Sequence, residues 1–262
     1  MKVHRLLRSG AALGALALCW ATVATPAGAA ASGFAPPAPA EGASDEPAQT
    51  TTPAAHATAE DWESWASREE ARAHGYDWAA DSASRGCELT ALSITTEVDP
   101  AHNADLGAPP DLATVRVDRV EQCDESVSAA LHTDPADAGA TDDSEVEGGA
   151  GVASVPPGAR CNAGTRGPGT ICLTSSGGWI TASWQNRGSA SVTGFLRVYQ
   201  IPSSAGHCPT GTTWLTSPTL TWTSGQTRST SRAQTQNGAY SAHIWRQNLV
   251  GHSNWGGTCA RL

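Results

Sequence analysis

Six cysteines, Cys87, Cys123, Cys161, Cys172, Cys208 and Cys259, follow an export-type leader. An even number of thiols delivered to an oxidising compartment limits the chain to folds that bring them together in pairs. The leader is residues 1–29. Lys2, Arg5 and Arg8 precede the apolar run "AALGALALCWATVA", and the small residues "TPAGAAA" follow it, so cleavage is expected after Ala29 or Ala31. Lipid attachment at Cys19 is disfavoured because Leu18 stands where a small residue is wanted. No later stretch reaches the roughly 18 apolar residues that a membrane span requires. The expectation is a secreted, extracellular protein that does not insert into a membrane once the leader is removed. None of the six thiols has C-x-x-C spacing and the histidines are scattered, so we expect no metal site and no cofactor. Sequence alone leaves the pairing open, since the four cysteines after residue 158 allow three connectivities. Proximity along the chain suggests Cys87–Cys123, Cys161–Cys172 and Cys208–Cys259.

Composition divides the remaining chain into four segments. Residues 30–57 are rich in Ala, Pro and small polar residues, which cannot bury enough apolar surface to offset ordering entropy, and read as a disordered arm carrying one aromatic, Phe34. Residues 58–125 read as a small acidic subdomain. Thr58 and Asp61 form a capping signal, Trp62, Trp65 and Ala66 share a helical face, and Gly75 stops the helix. Two strand-like runs, "CELTALSITTEV" and "DLATVRVDRVEQC", then make a hairpin bounded by Cys87 and Cys123. Residues 126–157 are an acidic, Gly- and Ala-rich linker. Residues 158–262 contain seven strand-like segments, among them "TICLTS", "WITASWQ", "SVTGFLRVYQI" and "AYSAHIWRQ", separated by turn signals such as "SSGG" and "QNG". The fold expected is mainly β: a C-terminal disulfide-braced β-sandwich, Ig-like or a small barrel, preceded by a small α+β disulfide subdomain and disordered linkers.

Charge is segregated along the chain and excludes much chemistry. All 25 acidic residues lie between Glu41 and Glu147, and eight arginines follow with no Asp or Glu among them. Residues 32–147 are therefore at −20 and residues 148–262 at +8. No lysine follows Lys2, which removes Schiff-base, P-loop and Ser-Lys chemistry. A domain without carboxylates cannot hold paired acids for glycoside hydrolysis or a carboxylate-ligated metal. The stretch "LVGHSNWGGTC", residues 249–259, resembles a nucleophile turn around Ser253 and His252, but it lacks a local acid and has Trp255 where the elbow needs Gly. We read it as a disulfide-closed terminal turn and assign no catalytic residue.

Aromatic residues must supply much of the core of residues 158–262, which hold six tryptophans and about 13 Ile, Leu and Val. Alternation places Trp184 and Trp222 inward, with Tyr240, Ala242 and Ile244, and with Leu196 and Val198. It turns Ser241, His243, Trp245, Phe195, Arg197 and Tyr199 outward. Exposed arginines and aromatics are the usual anchors of an interface. The binding residues expected are Trp245, Tyr199, Arg197, Trp255 and Arg246. No motif is specific enough to name a family. The function expected is a secreted, non-enzymatic interaction protein docking on a secreted or surface protein, such as an adaptor subunit of an extracellular antibacterial complex. Alternatives are a carbohydrate or cell-envelope module binding cell-wall glycopolymer, a secreted inhibitor presenting loop 202–211, or a hydrolase. Nucleic acid is a poor partner, because the tethered acidic half repels phosphate.

The same segregation makes a prediction about charge. The acidic segment 124–147 should shield the basic domain at low ionic strength and release it at high salt. Ion-exchange retention of the basic domain with and without the acidic half measures this, and identical retention would contradict it.

Overall fold

Local chemistry sets the first helix. In a computed structural model, which describes residues 51–54, 56–123, 155, 157–163, 165–205 and 208–262, α1 spans Ala59–Gly75 and opens on the expected capping box. The Thr58 hydroxyl accepts from the Asp61 amide at 3.2 Å, and the Asp61 carboxylate accepts from the Thr58 amide at 3.0 Å. Trp62 and Trp65 are buried on one face against Leu112. A second helix, α2 (Trp78–Ser84), is capped by Asp77, and a third, α3 (Pro100–Leu106), by Asp99 with proline in its first turn. At seven residues each, both fall below the length at which helical periodicity is readable. The arm and leader lie outside the described residues except for a few positions near Thr58, as does most of the acidic linker.

Among the described residues eleven strands follow or intervene: β1 (Cys87–Val98), β2 (Ala113–Cys123), β3 (Arg160–Asn162), β4 (Gly169–Ser176), β5 (Trp179–Asn186), β6 (Val192–Ile201), β7 (Thr212–Thr216), β8 (Leu220–Trp222), β9 (Gln226–Ala233), β10 (Ala239–Asn248) and β11 (Gly251–Arg261). They form two antiparallel sheets, β1-β2-β9-β5-β4-β3 and β11-β10-β6-β7, with β8 paired to β6. The chain is thus mainly β, and its three disulfides join Cys87 to Cys123, Cys161 to Cys172 and Cys208 to Cys259. Ile171, Ile180, Trp184, Leu196, Trp222, Tyr240 and Ile244 come from both sheets and meet in one buried cluster. Trp184 and Trp222 meet edge to face at 5.4 Å, as do Trp214 and Tyr240 at 5.5 Å.

Two elements differ from the reading of the sequence. Residues 251–261 are not a terminal turn but the edge strand β11, hydrogen-bonded along β10 from Ala239↔Arg261 to Asn248↔Gly251. The glycines that suggested a turn serve a bulge, where the register slips between His243 and Trp245. Gly256 sits there at φ +120, a conformation that side chains rarely adopt. The second difference is the hairpin expected to close a subdomain of its own. Its strand β2 pairs with β9 from Val117↔Ser231 to Gln122↔Gln226, so the hairpin completes the six-stranded sheet.

Helices α1 and α2 cover the outer face of that sheet. Trp78 packs on Trp179 with ring centroids 5.1 Å apart, and the Arg72 guanidinium lies 4.1 Å over the Trp179 ring. Beneath α2, Arg119 is fully buried. It bonds the Asp81 carboxylate, lies 3.6 Å from Glu121, and sits 5.0 Å over the Trp78 ring. Glu121 accepts from the Ser82 hydroxyl at 2.6 Å, from Arg85 at 2.6 Å and from the Ser229 hydroxyl. Burial alone would raise its carboxyl; the Arg119 and Arg85 charges and the two hydroxyls hold it below the ordinary range. Further along the sheet the buried Arg232 donates to Glu97 at 2.7 Å and to the Trp214 carbonyl at 2.8 Å, with Asp99 at 3.4 Å. The acidic and basic parts of the chain therefore meet through the buried Arg232 with its half-buried carboxylates and through the Ser229–Glu121 hydrogen bond.

Two stability predictions follow from these contacts. Removing one partner of a buried ion pair strands the other charge, at a cost of about 3–5 kcal/mol. Glu121→Gln should lower the urea midpoint accordingly, and an unchanged midpoint would show that the cluster is not stabilising. His102 packs edge-on against Trp214 at 4.7 Å, and burial, then the Arg232 charge, push its imidazole down to about 3, with Asp99 opposing. Its folded pKa lies below its unfolded one, so the unfolded chain binds the proton first. The contribution is complete above about pH 6.5 and is lost as the pH falls towards 3. His102→Asn should flatten the loss of stability between about pH 6.5 and 5, above the carboxylate range; an unaltered slope there would refute the assignment.

Candidate functional site

The β10–β11 hairpin breaks the rules of its own turn. A two-residue hairpin loop favours Asn-Gly or Gly-containing pairs, whose backbone suits the strand twist. Here Asn248 pairs with Gly251, and the apex between them is Leu249-Val250. Both side chains are fully exposed, Leu249 at 104% and Val250 at 99%. Gly251, at φ +127, follows the aliphatic pair, and the Asn248 side-chain amide ties the hairpin by donating to the Ser253 hydroxyl at 2.9 Å. Two adjacent aliphatics held in water with no contact to lose are a violation of patterning of the kind found at functional surfaces.

The two sides of the hairpin carry arginine on aromatic rings. On the outer face of the sheet, Trp245 lies opposite Phe195 in register and stacks with it, the rings 10° from parallel and 6.2 Å apart. His252 meets the edge of Phe195 at 4.9 Å. The Arg197 guanidinium lies 4.8 Å over Phe195 and 6.0 Å over Tyr199, held by a 3.0 Å bond from its Nε to the Thr216 hydroxyl. On the other side, the bulge turns Trp255 towards the core, 6.3 Å from Trp184. The exposed Arg246 lies 4.8 Å over the Trp255 ring. Of the residues expected to bind, Arg197 and Trp245 share one face, half-buried, while Arg246 and Trp255 form a second patch across the hairpin.

Tyr199 does not fit the expectation that it is exposed. It is 4% exposed, because the chain between β6 and β7 folds back over the outer face of its own sheet. Cys208 anchors this cover to Cys259 of β11, and the Pro209 carbonyl accepts from the Ser241 hydroxyl at 2.6 Å. Val155 adds to the cover, its amide donating to the Ser203 carbonyl at 3.0 Å, and lies with Tyr199, Ile201 and Cys259 in a small buried cluster. His243 and Ser241, also expected to face outward, are buried by the same cover. Burial, opposed by the Asn254 bond and the backbone of Pro209 and Cys208, holds the His243 imidazole below its ordinary pKa. Leu249 and Val250 went unread as an apex because the glycine-rich stretch around them masked the pairing. The signal that could have found them is the apolar pair in "NLVG" between two alternating runs.

Ser253 and His252 are neighbours on a strand and point to opposite faces. His252 packs on Phe195 while the Ser253 hydroxyl accepts from Asn248, so the two do not form a nucleophile–base couple. Among the described residues no three His, Cys, Asp or Glu side chains are grouped to hold a metal, and no helix is long and apolar enough to cross a membrane. Comparison with known proteins finds no matching family model, no matching curated protein and no matching solved structure.

Proposed function

We propose that this chain is a secreted, non-enzymatic interaction protein that docks another exported or surface-exposed protein through the apex of the β10–β11 hairpin. Its sandwich then serves as a rigid, disulfide-braced scaffold presenting a loop end, in the manner of Ig-like modules. The observation that carries this reading is the full exposure of Leu249 and Val250 at the apex. Burying an exposed aliphatic side chain in a partner contributes about 1.5–3 kcal/mol. Arg197 and Trp245, half-buried and packed on the buried Phe195, add a rigid flank with little side-chain entropy left to lose. Such a surface suits an adaptor subunit of an extracellular, antibacterial multi-protein complex. A second reading rests on the exposed Arg246 above Trp255, a pairing that suits an anionic cell-wall glycopolymer.

Leu249→Asp combined with Val250→Asp tests the first reading, because these side chains support nothing in the fold. The melting temperature should stay unchanged, while the partner that co-purifies with the wild-type protein from culture supernatant should bind at least tenfold more weakly. Wild-type protein emerging without a stoichiometric partner, or a double variant that keeps it, would sink the proposal. For the second reading, Arg246→Ala should abolish retention on purified cell wall at low salt; no retention of the wild type excludes it.

A further inference from the structure

A sheet exposes unpaired backbone groups along its outermost strands, and folded proteins normally shield those edges. Most of the outer strands here are short or occupied. β3 and β8 span three residues each and β7 five. Along β11 the outward carbonyls are taken: Trp255 accepts from the Arg166 amide at 2.7 Å, Gly257 from the Asn162 side chain at 2.8 Å and Arg261 from the Gly158 amide at 3.0 Å. β1 is different. It spans twelve residues, and among the described residues it pairs with β2 alone.

The open strand also lacks the usual deterrents. Residues 91–96, "ALSITT", contain no charge, proline or glycine, and the bulge between Leu89 and Ala91 leaves the rest of the strand regular. Leu92 is 43% exposed and Val98 52%; with the apex pair Leu249 and Val250 they make up the exposed large apolar side chains among the described residues. Leu92 pairs with Arg119 and Val98 with Ala113, so both lie on the face that carries α1 and α2. A second copy of β1, running antiparallel, complements this edge. Outward backbone groups recur at every second residue, so residues that face each other across the edge are both odd-numbered or both even-numbered, and a two-fold axis passes through one of them. An axis at Leu92, Ser93 or Ile94 sets part of the strand against the bulge at Thr90. An axis at Thr95 confines the pairing to residues 92–98 and places Leu92 opposite Val98 of the other copy, twice. Each exposed aliphatic then covers another. Glu97 falls opposite Ser93, so no two like charges face each other directly.

We propose that β1 is a dimerisation edge, through which two copies of this chain join antiparallel along residues 92–98, with the two-fold axis at Thr95, and merge their six-stranded sheets into one. So short a strand pair is a small interface, and the dimer dissociates on dilution. It makes no use of the β10–β11 apex and does not depend on the function proposed for that hairpin. Sedimentation equilibrium on the full chain over about a hundredfold range of concentration tests it. The wild type should pass from monomer to dimer, and the Leu249→Asp, Val250→Asp variant should do the same. Leu92→Lys combined with Val98→Lys should stay monomeric where at least half of the wild type is dimeric, yet melt at the wild-type temperature when both are dilute. A short bismaleimide should cross-link Thr95→Cys into a dimer. It should leave Ser93→Cys largely monomeric, because there the two thiols stand four residues, roughly 14 Å, apart along the strands. A wild type that is monomeric throughout, a lysine variant that still dimerises, or cross-linking at position 93 in preference to 95 would overturn the proposal. So would a chain that dimerises only after residues 30–50 are deleted, which would assign the edge to its own N-terminal arm.

Discussion

The buried carboxylate of Glu121 joins parts of the chain that the sequence keeps far apart. It takes hydrogen bonds from Ser82 and Arg85 at the end of α2 and from Ser229 of β9, and lies beside Arg119 of its own strand. Strand β9 is held between β2 of the acidic part and β5 of the basic part. Without β2, β9 would become an edge, and Arg232 within it would lose Glu97 and Asp99. The helical layer and the completed sheet both rest on this junction.

The core positions were legible because alternation reports a buried face directly. Trp184, Trp222, Tyr240, Ala242 and Ile244 lie inward as their spacing implies, and the three disulfides follow the suggested pairing. The opposite face of the same strands was not legible. Alternation places Tyr199 and His243 away from the core, but it carries no information about the cover that returns over them from Cys208 and Pro209. β11 was lost for a related reason, since its bulge glycines resemble a turn until β10 is seen alongside.

Segregation along the sequence suggests diffuse shielding by residues 124–147, which lie outside the described residues. Within the described residues, charges of the acidic part are paired inside the fold: Arg119 with Asp81 and Glu121, all buried, and the buried Arg232 of the basic part with the half-buried Glu97 and Asp99. The outer face of the second sheet carries Arg197 over Phe195 and leads to the exposed Leu249-Val250 apex.

The account depends most on the claim that residues 58–123 and 158–262 fold as one cooperative unit across the β2–β9 junction. Calorimetric unfolding of the chain from residue 51 to 262, compared with residues 158–262 alone, tests it directly. The longer chain should melt in one two-state transition, and the shorter should show no cooperative transition. Two separate transitions in the longer chain, or a shorter chain that melts cooperatively at the same temperature, would contradict the claim.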